Sequence, residues 1–373
     1  MGATNESRRE TGVDVARALA SLLMIQGHAF HGWASPAARG TGAYGFTRLL
    51  GTFPLPAFLV LAGAALVLRL RAARARHEDP ARVRAALVRR GFVVLGWGYL
   101  LSLAYALLDG GLRPEVLLRA DVLHVIGLSI ALAAALGVTS RAPGAPGAPG
   151  RLGARGNEPH GRVDPRAFAL RAAGVGLLFA VLCPPLSAWS ASVTGPLRYP
   201  LGLLLDVPGS GLMPLIPLFG WLALGALVMA ATGDRLSRPL VAAALLLGGL
   251  AVKVAAGALV APLADVGPGP GRASWAIVPN LVELGGAGVA VLGAGGLLAP
   301  HLRGWLRRWT LRIGRGSLFL YAVHIPFCYG RLGAPFRHRL TMAQATLGVV
   351  ALTAASIAAL ALRTRLRRGT NLL

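Results

Sequence analysis

An arginine and a histidine stand eleven residues apart inside the first apolar segment, Arg17 in GVDVARALA and His28 in LLMIQGHAF. Eleven residues make three helical turns, so the two side chains share one face about 16 Å apart along the axis. A bilayer core is roughly 30 Å thick, which sets one ionisable group towards each membrane surface. Ionisable groups at such depth are costly and mark sites or pathways. Asp14, one turn before Arg17, can pair with it and lower the cost of its burial. Further polar residues fall in the outer halves of later segments. LLRADVLHVIGLS carries Arg119, Asp121 and His124, WAIVPNLVELGG carries Asn280 and Glu283 one turn apart, and GRGSLFLYAVHIPF carries Tyr321 and His324. Each alone has a structural reading as a cap or an interhelical hydrogen bonder. Four segments presenting His, Asp and Glu at one depth predict a shared polar cavity.

Composition says what must position these groups. The 373 residues are 55% hydrophobic and only 14% charged, with a mean hydropathy of +0.61; a soluble domain carries about a quarter charged residues. The apolar residues form blocks of membrane-spanning length. Ten such blocks are expected, near 12–33, 46–68, 85–108, 121–138, 167–186, 212–231, 239–262, 276–298, 315–330 and 341–362. The predicted fold is all-α, a single polytopic transmembrane domain over 1–373. A net charge of +24 invites a nucleic-acid partner, but its distribution argues against one. With the N-terminus inside, inner segments hold 27 arginines and outer loops 9, the remaining two cations, Arg17 and Lys253, lying within spans. That alternation is the positive-inside signature and predicts cytoplasmic N- and C-termini in a multi-pass protein of a bacterial-type inner (plasma) membrane. The single lysine against 37 arginines carries no functional reading.

The connecting segments add less. Residues 141–166 are rich in Pro, Gly and Arg and predict a disordered cytoplasmic loop. The run GGAGVAVLGAGG at 285–296 lacks the register of a dinucleotide-binding loop and predicts close helix packing instead. The first segment lacks the short apolar core and cleavage site of a secretory signal and is expected to stay. Two cysteines, Cys183 and Cys328, give neither a disulfide framework nor metal-ligand spacing, and no metal is expected. The stretch RLRAARARHEDPARVRAALVRR at 69–90 holds enough guanidinium for a multiply phosphorylated ligand, Arg89 and Arg90 being best placed where the loop meets the third span. Topogenic charge and lipid headgroup contact are the simpler account of the stretch as a whole, ligand binding being favoured mainly for Arg89 and Arg90.

The Arg-ten-residues-His pattern of RALASLLMIQGH resembles the first helix of the transmembrane acyltransferase superfamily, which includes the acyltransferase 3 family and the heparan-α-glucosaminide N-acetyltransferase-like membrane proteins. FPLPAFLVLAGAAL resembles the second helix of that group and RRGFVVLGWGYL its basic approach to the third. LRADVLHVIGLS, MPLIPLFGWLALGAL and GRGSLFLYAVHIPF resemble later segments, the first two above all in the heparan-glucosaminide-type branch. Ala62-Gly63 stands where the acyltransferase 3 pattern usually has Ser-Gly. The resemblance implies transfer of an acyl group, acetyl foremost, from cytoplasmic acyl-CoA to a hydroxyl or amine of an extracytoplasmic acceptor, a glycan or glycolipid. It implies no tightly bound cofactor. In that scheme Arg17, Arg89 and Arg90 serve the donor's phosphates. His28 is the base, since imidazole is close to half-protonated near neutral pH, and Asp121 or Glu283 orients its ring. Asp14, His124, Asn280, Tyr321 and His324 complete the polar surroundings. Two other readings of the same residues are a proton-coupled transporter or flippase of a small polar substrate, and a scaffold that has lost its activity. Transporters often show inverted repeats, and the chain has no second Arg–His segment.

Overall fold

A computed structural model of the chain describes residues 3–138, 163–207, 213–264 and 277–369, and these form helices joined by short turns, with no strand among them. The long α1 (Ala3–Trp33) is followed by the short α2 (Pro36–Arg39), then α3 (Gly42–Gly51) and α4 (Pro54–Ala75). Next come α5 (Pro80–Tyr105), the short α6 (Pro114–Leu117), α7 (Val122–Gly137), α8 (Pro165–Ser190) and the short α9 (Arg198–Gly202). The second half holds α10 (Leu215–Thr232), α11 (Pro239–Ala264), α12 (Ile277–Leu298), α13 (Gly304–Arg315), α14 (Ser317–Cys328) and α15 (Met342–Gly369). Local sequence explains where several begin. Asp79 and Asp164 cap α5 and α8, each with proline at the first helical position, where a missing N–H costs nothing. Asp121 and His124 form a reciprocal capping box at the start of α7.

Seven stretches among the described residues are long and apolar enough to cross a bilayer, with α3 and α4 counting together as Gly42–Ala75. The protein is therefore an all-α polytopic membrane protein. The two apolar helices α7 and α14 are shorter, at 16 and 12 residues. Every expected block coincides with a helix, but boundaries move. The second block is divided at Thr52–Phe53, just before Pro54, because a helix disfavours the residue preceding proline. The sixth starts only at Leu215, with Ile216 still non-helical. The Pro/Gly/Arg-rich segment at 141–166 lies outside the described residues up to 162, and its last two residues already belong to α8. One whole element, α13, occupies what the sequence reads as a plain inner connection.

Helices α4, α10 and α12 lie at the centre, and α5, α11 and α15 present most of their surface outward. Phe168, Phe219, Leu59, Leu61 and Leu222 are fully buried among them. Lipid tails are as apolar as leucine, so helices associate through close van der Waals contact, which needs small residues. A Cβ on Gly63 of α4 would overlap the Leu222 carbonyl of α10, and one on Gly225 would overlap the Val60 carbonyl in return. The glycines of 285–296 work the same way: a Cβ on Gly286 would stand 2.6 Å from the Gly249 carbonyl oxygen of α11.

Candidate active site

Three polar constellations emerge, at different depths. The first lies near the C-terminal end of α1. A Cβ on Gly32 would overlap the Cys328 carbonyl oxygen, so α1 and α14 touch backbone to backbone there. That approach sets His28 Nδ1 2.8 Å from His324 Nε2. The rings are nearly parallel, 12° apart with centroids 5.1 Å apart. His324, fully buried, places its Nδ1 2.7 Å from the Leu320 carbonyl oxygen one turn earlier. The Tyr321 hydroxyl donates to Asp121 Oδ2, while Asp121 Oδ1 accepts the Val122 N–H at 2.6 Å. Tyr329 meets the edge of His28 at 5.4 Å, and its hydroxyl lies 3.1 Å from His31 Nδ1. Beside these groups opens a cavity of ≈ 350 Å³. His28, His31, Arg48, Asp121, Tyr321 and Tyr329 supply its polar wall, and Met24, Leu55, Phe58 and Met213 much of the apolar one.

The second constellation is three turns back along the unbroken α1. Asp14 accepts from Arg17 Nη1 at 3.2 Å and from Arg315 Nε at 2.8 Å. Arg90, exposed and nearly three turns inside α5, is close enough to repel the Arg17 guanidinium; the helix begins already at Pro80, so Arg89 and Arg90 do not mark the end of the loop as the sequence suggests. Most arginines of 69–90 that have partners are occupied structurally. Arg69 donates to Glu78 at 2.5 Å and Arg76 stands 3.7 Å from the same carboxylate. The hydrogen bond from Arg69 holds that carboxyl below its usual range. Arg71 donates to the carbonyls of Met229 and Ala230 near the C-terminus of α10. Arg89 and Arg90 remain exposed.

The third is an ion pair between α11 and α12, Lys253 Nζ to Glu283 Oε1 at 2.6 Å. The ammonium also lies over the Phe53 ring at 5.5 Å. Glu283 thus turns to Lys253 and does not line the His28 cavity; Asn280, a turn earlier, is exposed and does not line it either. His124 is likewise apart, fully buried, with Nδ1 accepting the Asp121 N–H at 3.2 Å and its ring edge-on to Tyr99. Of the expected cavity residues the structure gathers His28, Asp121, Tyr321 and, immediately behind them, His324. The expectation of a carboxylate against the His28 ring is not met, because Nδ1 faces another imidazole.

Sequence reading missed Arg315 as a second partner of Asp14, Lys253 as the partner of Glu283, and His31, Arg48 and Tyr329 on the cavity wall. Lys253 had a signal, being the one lysine and standing in mid-span. The others sit at helix ends, where polar residues are expected anyway. Among the described residues no three His, Cys, Asp or Glu side chains gather as metal ligands.

No curated protein matches the chain. Residues 9–145, which carry Arg17, His28, the Arg89–Arg90 pair and Asp121, match the family model described as heparan-alpha-glucosaminide N-acetyltransferase, catalytic, so this part of the chain is similar to that membrane acyltransferase family.

Proposed function

We propose that the protein moves an acyl group, acetyl foremost, from acyl-CoA on the membrane side where α1 begins to a hydroxyl or amine of an acceptor held in the His28 cavity. The arginine asymmetry makes the donor side cytoplasmic and the cavity extracytoplasmic, where glycans and glycolipids are the natural acceptors. The observation that carries the reading is the hydrogen-bond chain behind His28. A carbonyl oxygen only accepts, so His324 donates its Nδ1–H to Leu320. Neutral His324 then offers Nε2 as an acceptor, and His28 must donate Nδ1–H to it. This leaves the lone pair of His28 on Nε2, as a general base requires.

In this reading Nε2 of His28 takes the proton as the acceptor oxygen or nitrogen attacks the thioester carbonyl. The new C–O or C–N bond forms, the C–S bond breaks, and the departing thiolate receives the proton from His28. Asp121 and Tyr321, on the same wall, orient the acceptor. Arg17, Arg89 and Arg90 hold the donor's phosphates, and its pantetheine arm covers the roughly 16 Å of helix rise between Arg17 and His28. The assay is acyl-CoA consumption by purified protein with a panel of glycan acceptors, wild type against His28→Ala. A loss of at least two to three orders of magnitude in turnover is expected from removal of a general base. Near-normal turnover in a well-folded His28→Ala protein removes the proposal.

A further inference from the structure

The connection α13 is built unlike its neighbours. Residues 299–316 contain five arginines, Arg303, Arg307, Arg308, Arg312 and Arg315, and no carboxylate. At 100° per residue, Arg308, Arg312 and Arg315 fall on one stripe, and Trp305, Leu306, Trp309 and Ile313 on the adjoining face. Trp305 and Leu306 are 65% and 53% exposed. Arg312 lies over the Trp309 ring at 5.1 Å. Arg315 is spent on Asp14, whereas Arg303 and Arg308 are exposed with no ion-pair partner among the described residues.

Position fixes what α13 meets. It joins the end of α12 to the start of α14, so it lies at the membrane surface from which α1 departs. Gly304 at φ +52° turns the chain into α13, a conformation that glycine adopts without penalty. At the other end a Cβ on Gly314 would overlap the Asp14 carbonyl oxygen, which docks the helix on α1. Between these points runs a twelve-residue helix with exposed tryptophan and leucine beside uncompensated guanidinium. An amphipathic helix of this kind seats its apolar face at the headgroup–acyl boundary and its arginines among the phosphates.

We propose that α13 binds anionic phospholipid headgroups along Arg308 and Arg312, in the leaflet on the side where α1 begins. The exposed Trp305 and Leu306 select a lipid over free phosphate, because only a lipid brings acyl chain to the same spot. Arg315, on the same stripe, holds the carboxylate that also holds Arg17. Lipid contact therefore steadies the stretch of α1 that carries Asp14 and Arg17. The proposal stands apart from the reaction itself.

The test is native mass spectrometry of the full protein released from nanodiscs of phosphatidylcholine with phosphatidylglycerol. Wild type is expected to retain phosphatidylglycerol preferentially. Arg308→Gln with Arg312→Gln should weaken that retention about thirtyfold, roughly fivefold per arginine. Raising salt should release the lipid from wild type in parallel, since surface charge is screened. Inorganic phosphate at the same ionic strength should release no more than chloride. Unchanged retention in the double variant, salt-insensitive retention by wild type, or displacement by phosphate each overturns the proposal.

Discussion

His324 is the residue on which the proposed base depends, and its replacement separates orientation from mere packing. In His324→Phe the ring volume stays between α1 and α14, but the acceptor for His28 Nδ1–H is gone. Two contributions are lost. The ground state loses a neutral hydrogen bond that fixes the His28 tautomer, about 0.5–1.5 kcal/mol. The transition state, in which His28 carries a positive charge, loses a bond to a charged group, about 1.5–3 kcal/mol. Only the excess in the transition state slows turnover if the tautomer survives, and the whole charged bond does if it does not. The expected fall in kcat is therefore between about fivefold and about 150-fold. KM for donor and acceptor should hardly move, because His324 does not line the cavity. His324→Gln supplies an amide oxygen near the old Nε2 and should recover most of the loss. Steady-state kinetics in detergent or nanodiscs, with thermal unfolding as the folding control, give the answer. A His324→Phe enzyme within twofold of wild type refutes the tautomer argument, as does a His324→Gln enzyme no better than Phe.

Other expectations follow from the remaining contacts. Breaking the buried Lys253–Glu283 pair, with Lys253 only 7% exposed, through Lys253→Met or Glu283→Gln alone should destabilise the fold by about 3–5 kcal/mol, whereas Lys253→Met with Glu283→Leu should restore most of that stability; thermal unfolding compares the three. Gly32→Ala places a methyl against the Cys328 carbonyl, and should cost about 1–3 kcal/mol of stability together with a drop in kcat at unchanged donor KM, since it spreads the helices that carry the histidine pair. Arg17→Lys should raise the acyl-CoA KM without changing the acceptor KM, because an ammonium cannot reproduce the planar fork; the reverse pattern counts against a donor role.

Long apolar helices were legible in the sequence because each residue contributes to the signal independently, and every block falls on a helix, although α1, α4 and α15 run well past the polar ends of their blocks. What lay in pairs of helices was not. The eleven-residue spacing put Arg17 and His28 on one face of α1, but nothing in α1 says which of the other helices supplies the group behind the histidine. The carboxylates Asp121 and Glu283 were reasonable partners on chemistry alone. Tyr321 takes Asp121 and Lys253 takes Glu283, and the glycine that lets α1 touch α14 lies four residues beyond His28. Such matches depend on helix rotation and backbone distance, which a single chain's periodicity does not encode. The amphipathic α13 was hidden for a different reason: its four arginines look like ordinary topogenic charge until the exposed Trp305 beside them is seen.

The same geometry bears on whether transfer is direct. Arg17, midway along α1, lies near Arg90, and the His28 cavity opens three turns further along the same helix. Donor and acceptor therefore need not share an entrance, and neither product has to leave before the second substrate binds. The histidine pair also suits a base better than an acyl carrier. His28 lines a cavity of ≈ 350 Å³, large enough for an acceptor group and water together, and an acyl-imidazole exposed there would hydrolyse. A base that only borrows a proton runs no such risk, and the imidazolium it becomes is held by the His324 lone pair. Direct transfer through a ternary complex is the expected mechanism. Intersecting double-reciprocal lines for acyl-CoA and acceptor fit it. Parallel lines, with labelled acyl group trapped on His28 when acceptor is withheld, would show a ping-pong enzyme and reverse the assignment.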